Sequence, residues 1–401
     1  MPFPHRSLPT FRDIFGRWGL ILALAIVAGS GCGGGGGDGS GALDETAVRQ
    51  LLRIPAHMAV PAVPEFNPIT AEKIELGRHL FYDKRLSANG TQSCESCHHQ
   101  SLAFTDGAVR SVGSTGVVHP RNSQGLGNAM YNASFTWSND TFVWLEDQIV
   151  VPIISDNPVE LGVTDNVRAE VLSRFETDPL YQSLFAAAFP NDDAGVTLNK
   201  IIFALTSFCR ALVTSNSPYD RLLAGEDSAL TARQLDGLRL FNSERFECFH
   251  CHSGINLTVS YRDFNSDPET VTFPFFNNGL YNIGGSGDYP IHDQGLFNLT
   301  ADPADRGLFR PQSLRNVAVT APYMHDGSIA TLEEVIRHYA RGGRLIENGP
   351  NAGDGRLNPL KSGLIRGFQA TDEEVAAVVA FLKSLTDETF LTDPRFSNPF
   401  Q

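Results

Sequence analysis

Two pentapeptides set the terms on which this chain can fold: Cys94-Glu95-Ser96-Cys97-His98 and Cys248-Phe249-His250-Cys251-His252. Both read C-x-x-C-H, the attachment signature of c-type haem. Two thiols separated by two residues in a helical turn can reach the two vinyl groups of one porphyrin as thioethers. The next residue then projects its imidazole at the iron from the proximal side. Two C-x-x-C pairs could instead gather one zinc ion on four thiolates, or close a disulfide within each pair. A histidine directly after both pairs, in a chain that carries an export signal, favours two covalently bound haems.

That signal is legible at the amino terminus. Arg6, Arg12 and Arg17 precede an uncharged apolar run over residues 18–28. The run is too short to cross a bilayer as a helix, which needs about 20 residues. Basic residues, a short apolar run and then small residues describe an export signal over residues 1–31. Residues 32–64 are expected to form a glycine-rich flexible tether and an N-terminal extension. Ala28-Gly29-Ser30-Gly31-Cys32 resembles a bacterial lipoprotein processing site, with Gly29 where leucine is usual. A lipid on Cys32, tethering the chain to a membrane, and ordinary cleavage nearby both stay open.

Composition narrows the partners. The 401 residues are 42% hydrophobic and 19% charged, which excludes disorder for most of the chain. The formal net charge of -14 disfavours nucleic acid and anionic membrane surfaces, and suits a basic partner protein or a small neutral substrate. Six cysteines are too few for a disulfide scaffold. Cys209 lies in a stretch, residues 198–213, where Ile201, Leu205, Phe208 and Leu212 recur at helical spacing, so it reads as a buried structural thiol.

The organisation is duplicated. Thr70-Ala71-Glu72-Lys73 opens a helical stretch ending in Gly77-Arg78-His79-Leu80-Phe81, and Thr231-Ala232-Arg233-Gln234 opens another ending in Gly237-Leu238-Arg239-Leu240-Phe241. Each starts at an N-cap threonine, Gln234 completes a capping box, and each precedes a C-x-x-C-H site. The helical pattern over 198–213 closes the first unit, and residues 371–385, capped by Thr371 and Glu374, close the second. Pro218 and the loop over 225–228 place a boundary near residue 226. The expectation is a mainly α protein with at most short strands. It comprises two cytochrome c-like haem domains packed against each other with long loops, over 65–225 and 226–401.

Further motifs run between these landmarks. They are Leu80-Phe81-Tyr82-Asp83-Lys84-Arg85-Leu86-Ser87, Phe104-Thr105-Asp106-Gly107, Gln148-Ile149-Val150-Val151-Pro152-Ile153, Asn157-Pro158-Val159-Glu160, Leu314-Arg315-Asn316 and Thr320-Ala321-Pro322-Tyr323-Met324-His325-Asp326-Gly327. In these the chain resembles the bacterial di-haem cytochrome c peroxidase and MauG superfamily, across nearly all of residues 65–400. The resemblance implies that the amino-terminal haem, with His98 on its iron, reacts with hydrogen peroxide. Glu160 then matches the distal proton-moving carboxylate, and Gln148 and Pro152 match its pocket. His119 is the one histidine of the loop after the first haem site and reads as structural. Trp137, in Trp137-Ser138-Asn139-Asp140, matches the tryptophan that relays electrons between the haems, with Trp144 the competing candidate.

At the second haem His252 supplies one axial ligand, and Tyr339 stands where electron-accepting members have methionine, with His338 the fallback. Methionine raises the potential, whereas a tyrosine oxygen stabilises ferric and higher states. Tyr339 therefore points to the MauG-like branch, which uses peroxide to oxidise both haems and then draws electrons from a protein substrate. Val112-Gly113-Ser114-Thr115-Gly116, His119-Pro120-Arg121 and Gly279-Leu280-Tyr281-Asn282 look most like the MbnH subgroup associated with methanobactin operons. That resemblance implies oxidation of a partner's tryptophan to kynurenine. Phe246 replaces the surface tryptophan that serves MauG as an exit route. A calcium ion between the domains is also implied, at Asn122, Thr320 and Pro322. Two other functions stay open: a cytochrome c peroxidase fed by a small periplasmic c-type cytochrome, and a non-catalytic electron-transfer protein.

Overall fold

In a computed structural model, which describes residues 44–267 and 270–401, the chain is mainly helical. The expected export signal, Cys32 and the glycine-rich stretch lie outside the described residues. The helices in chain order are α1 (Glu45–Leu52), α2 (Ala71–Tyr82), α3 (Leu145–Ile154), α4 (Asp165–Glu176), α5 (Pro179–Ala188) and α6 (Leu198–Ala211). They continue with α7 (Pro218–Leu223), α8 (Ala232–Phe241), α9 (Phe297–Thr300), α10 (Leu332–Ala340) and α11 (Asp372–Lys383). Two two-residue strands, β1 (Leu345–Ile346) and β2 (Gly353–Asp354), pair antiparallel with Leu345 opposite Asp354. No helix among the described residues is long and apolar enough to cross a membrane.

The capping residues start these helices where the pattern predicts. Thr70 accepts from the Lys73 amide at 3.1 Å. Thr231 accepts from the Gln234 amide at 3.3 Å, and Gln234 accepts in return from the Thr231 amide at 2.8 Å. Thr371 and Glu374 form the same reciprocal pair at 3.2 and 3.0 Å. The stretch expected over 198–213 stops at Ala211. Leu212 leaves the helical conformation, and its carbonyl accepts from the Asn128 amide at 2.9 Å instead.

The duplication is physical. α2 packs on α6, and α8 packs on α11, each through a glycine. A Cβ at Gly77 would stand 1.9 Å from the Ala204 carbonyl oxygen, and one at Gly237 would stand 2.0 Å from that of Ala377. One turn further along, Phe81 meets Phe208 at 5.1 Å and 60°, and Phe241 meets Phe381 at 5.2 Å and 60°. One hydrophobic cluster runs from Val48 to Val213 around the first helix pair, and another from Phe241 to Leu385 around the second. The chain end crosses back: Phe390 and Phe396 join the first cluster, and Tyr82 donates to the Phe396 carbonyl at 2.6 Å. Cys209 is buried in the first cluster, as its spacing predicts.

Candidate functional site: two haem centres and the wall between them

Each C-x-x-C-H segment forms a short 3₁₀ turn, at Cys94–Ser96 and Cys248–His250, that follows the first helix of its pair and precedes the second in chain order. All four thiols are free, so the disulfide reading is not realised. Nor are the two pairs gathered into one zinc site: among the described residues no three His, Cys, Asp or Glu side chains are arranged to hold a metal ion. Both following histidines are oriented from the far side of the ring. His98 Nδ1 donates to the Phe104 carbonyl at 2.6 Å, and His252 Nδ1 donates to the carbonyls of Gln312 at 3.1 Å and Leu257 at 3.3 Å. A carbonyl can only accept, so the proton sits on Nδ1 and Nε2 keeps its lone pair for a metal. Burial lowers both imidazole pKa values, His252 to about 4, which holds them neutral.

Glu160 reaches the first centre through backbone folding that its own sequence does not announce. Pro152 sits inside α3, and the chain turns back after the helix. The Leu161 amide then bonds the Pro152 carbonyl at 2.9 Å, and the Val163 amide bonds that of Ile153 at 2.7 Å. This brings Glu160 against the helix that carries Gln148 and Pro152, one turn apart. The Ser114 amide donates to the Glu160 carbonyl at 2.9 Å, tying the loop after the first haem site to the same place. The Glu160 charge is felt at both Cys94 and Cys97. Its side chain keeps 38% of its surface accessible, yet the surrounding protein desolvates the carboxylate and pushes its pKa up to about 7. Gln148 Oε1 is buried without a hydrogen-bond partner.

The second centre opens on a cavity of about 460 Å³ between the two halves of the chain. Cys248, Cys251, His252 and Tyr339 line it, together with Trp137. His338 does not. It is buried, and its Nε2 lies 3.0 Å from the Asn278 carbonyl. Burial pushes the Tyr339 hydroxyl up to about 12, so only a cation on its oxygen would remove the proton near neutrality. Other cavity residues were not singled out from the sequence, Met324 and Arg310 among them. Met324 brings a sulfur, 3.4 Å from Asn278 Nδ2, and Arg310 brings a buried guanidinium. Met324 falls inside a quoted motif, and nothing in that motif marks its side chain as bordering the cavity.

The remaining expected residues gather on the same wall. Trp137 Nε1 donates to the Asn122 carbonyl at 2.8 Å, and neighbouring Ser123 donates to the Cys97 carbonyl at 2.7 Å. One short segment thus touches both centres. Asn122, Thr320 and Pro322, expected at calcium, all border the cavity, and the Asn122 side-chain amide is oriented by the Ala108 carbonyl at 2.8 Å. Trp144 is elsewhere, under the Arg262 guanidinium at 4.0 Å. Phe246 is 3% exposed and packs on Phe368, so the position lacks both an oxidisable ring and a surface.

A helical scaffold that repeats one haem-attachment unit, and folds a desolvated acid against the first of them, has the organisation of a di-haem peroxidase. Comparison with known proteins leads to the same class. The sequence profile of the family described as di-haem cytochrome c peroxidase matches residues 71–228. The methylamine utilization protein MauG of Methylorubrum extorquens is 31% identical over 325 residues, 81% of each chain. The cytochrome c551 peroxidase of Pseudomonas aeruginosa is 32% identical over 333 residues, 83% of each chain. A crystal structure of a MauG-like protein associated with microbial copper homeostasis superposes with a TM-score of 0.85 at 46% identity, over 87% of this chain and 99% of that one.

The chain belongs to the di-haem cytochrome c peroxidase and MauG family, and it is a haem oxidoreductase. Membership implies two c-type haems. The free thiol pairs, the Nδ1-anchored histidines and the cavity at the second pair fit them.

Proposed function

We propose that this enzyme uses hydrogen peroxide to oxidise a residue of an exported partner protein, a tryptophan by its resemblance to the MbnH-type members. The observation that carries the reading is at the second centre, where Tyr339 borders the cavity with His252 while His338 is turned to the Asn278 carbonyl. An oxygen donor there favours storing oxidising equivalents over collecting single electrons. The 46% identity to a MauG-like protein associated with copper homeostasis supports the same branch.

The bound haems would supply the iron chemistry that takes two electrons to peroxide. The protein's own part is proton handling and placement. Glu160, with a pKa of about 7, can accept a proton from an incoming peroxide and return it to the oxygen that leaves as water. Gln148 offers an acceptor beside it, and Pro152 leaves no N–H on that turn of the helix. Trp137 would relay electrons between the centres, and Asn122, Thr320 and Pro322 would hold a calcium ion that orders this wall. The net charge of -14 suits a basic partner. The setting is the periplasm.

Mass spectrometry of exported proteins encoded near this gene, from cells with and without the enzyme, tests the proposal. A tryptophan peptide that gains one oxygen and loses one carbon only when the enzyme is present is the expected result. Steady oxidation of a reduced small c-type cytochrome by peroxide, with no such peptide, would assign the protein to the cytochrome c peroxidases instead.

A further inference from the structure

Arg310 is 2% exposed, and it borders the cavity at Cys248, Cys251 and His252. Its Nε donates to the Thr136 carbonyl at 3.0 Å, and its Nη2 donates to Oε1 of Gln124 and of Gln312, both at 2.9 Å. All three acceptors are neutral. Nη1 is buried with no partner. Other buried arginines are treated differently by the fold. Arg210 is held by Glu146 at 2.7 Å, and Arg315 by Asp220 at 2.8 Å.

Glu244 and Glu247 also border the cavity, but they lie 3.3 and 3.8 Å from His250. Among the described residues no carboxylate forms an ion pair with Arg310. A guanidinium does not give up its proton in a protein, and a buried charge with no counter-charge is strongly disfavoured. Burial pulls the Arg310 pKa down to about 9 with no acidic group acting against it.

We propose that Arg310 binds a propionate carboxylate of the haem attached at Cys248 and Cys251, through the unused Nη1. The inference rests on the reading of the second C-x-x-C-H as a haem site, and adds the residue that holds the porphyrin's charged edge. A haem anchored there brings carboxylates into the cavity that lacks one for Arg310. The contact would couple three parts of the site. The Gln312 that receives Nη2 also accepts the His252 Nδ1 proton through its carbonyl, and the Arg310 amide donates to the Trp137 carbonyl at 2.8 Å. Pairing also cancels a negative charge that would otherwise stabilise the oxidised iron, so Arg310 holds the potential of the second haem up.

The test uses the haem-loaded full chain and two variants, Arg310→Met and Arg310→Lys, with haem stoichiometry measured first. The low-frequency resonance Raman band of propionate bending reports hydrogen bonding to the carboxylate directly. In Arg310→Met one component of this band should move to lower frequency, and the midpoint potential of the second haem should fall. Arg310→Lys keeps the charge, so the potential should stay close to the parent while the band still moves. Two haems per chain with an unchanged band in either variant would overturn the proposal. A parent protein without haem at Cys248 and Cys251 would instead overturn the reading on which it rests. If Arg310→Met does not fold, the band in Arg310→Lys decides.

Discussion

The His119 imidazole lies 3.8 Å from the Glu160 carboxylate, with its Nε2 3.3 Å from the Val159 carbonyl. Burial lowers the pKa of this histidine, so near neutrality it is uncharged and gives the acid no positive partner. Desolvation therefore acts on Glu160 unopposed, and its pKa rises to about 7. His119 behaves as a structural neighbour of the acid, hydrogen-bonded to the chain that carries it.

The reaction with peroxide should follow that titration. Glu160 serves as a base only when ionised, so the second-order rate should climb about tenfold per pH unit below pH 7 and level off above it. Stopped-flow absorbance across this range would show it. Glu160→Gln should remove the pH limb and slow the reaction by about 10²–10⁴-fold. A stability signature accompanies it. An acid whose folded pKa is raised from 4.5 to about 7 supports the fold when protonated and loses that support as pH rises through about 7. Glu160→Gln should therefore match the parent Tm near pH 4 and exceed it near pH 8.

At the second centre, Tyr339→Phe should change the optical spectrum of one haem, whereas Met324→Leu should leave it as it is. The reverse result would assign the sulfur, which borders the same cavity, as the ligand. Tyr339→Met should raise the haem potential and increase turnover with a reduced small cytochrome.

Gly237→Ala should separate α8 from α11, because the new Cβ would stand 2.0 Å from the Ala377 carbonyl oxygen, a backbone atom that cannot turn away. Overpacking of this kind costs about 1–3 kcal/mol or more, readable as a lower denaturation midpoint. Gly77→Ala should do the same at the first helix pair, where the oxygen of Ala204 lies at 1.9 Å.

Trp137→Phe removes an indole N–H that donates to Asn122 at 2.8 Å and should cost about 1 kcal/mol of stability. The first haem should still react with peroxide, while the spectral response of the second slows. An equal response at both haems in this variant would remove Trp137 from the relay.

Local chemistry made much of this protein legible in its sequence. Covalent haem attachment needs its thiols and imidazole within five consecutive residues, so Cys94 to His98 and Cys248 to His252 declare themselves. The threonine caps at 70, 231 and 371 act within one helical turn, and their helices begin where the pattern places them. The duplicated unit and the mainly α class follow from the same short-range signals. Other relationships join residues far apart in the chain, and packing alone decides them. Glu160 meets the first centre because the Leu161 amide finds the Pro152 carbonyl. Tyr339 faces the cavity while adjacent His338 turns away, a choice between neighbours made by how α10 lies on the loop at Asn278. The return of Phe390 and Phe396 to the first core, and the unpaired cation of Arg310, depend on which distant groups the fold brings near and which it keeps apart.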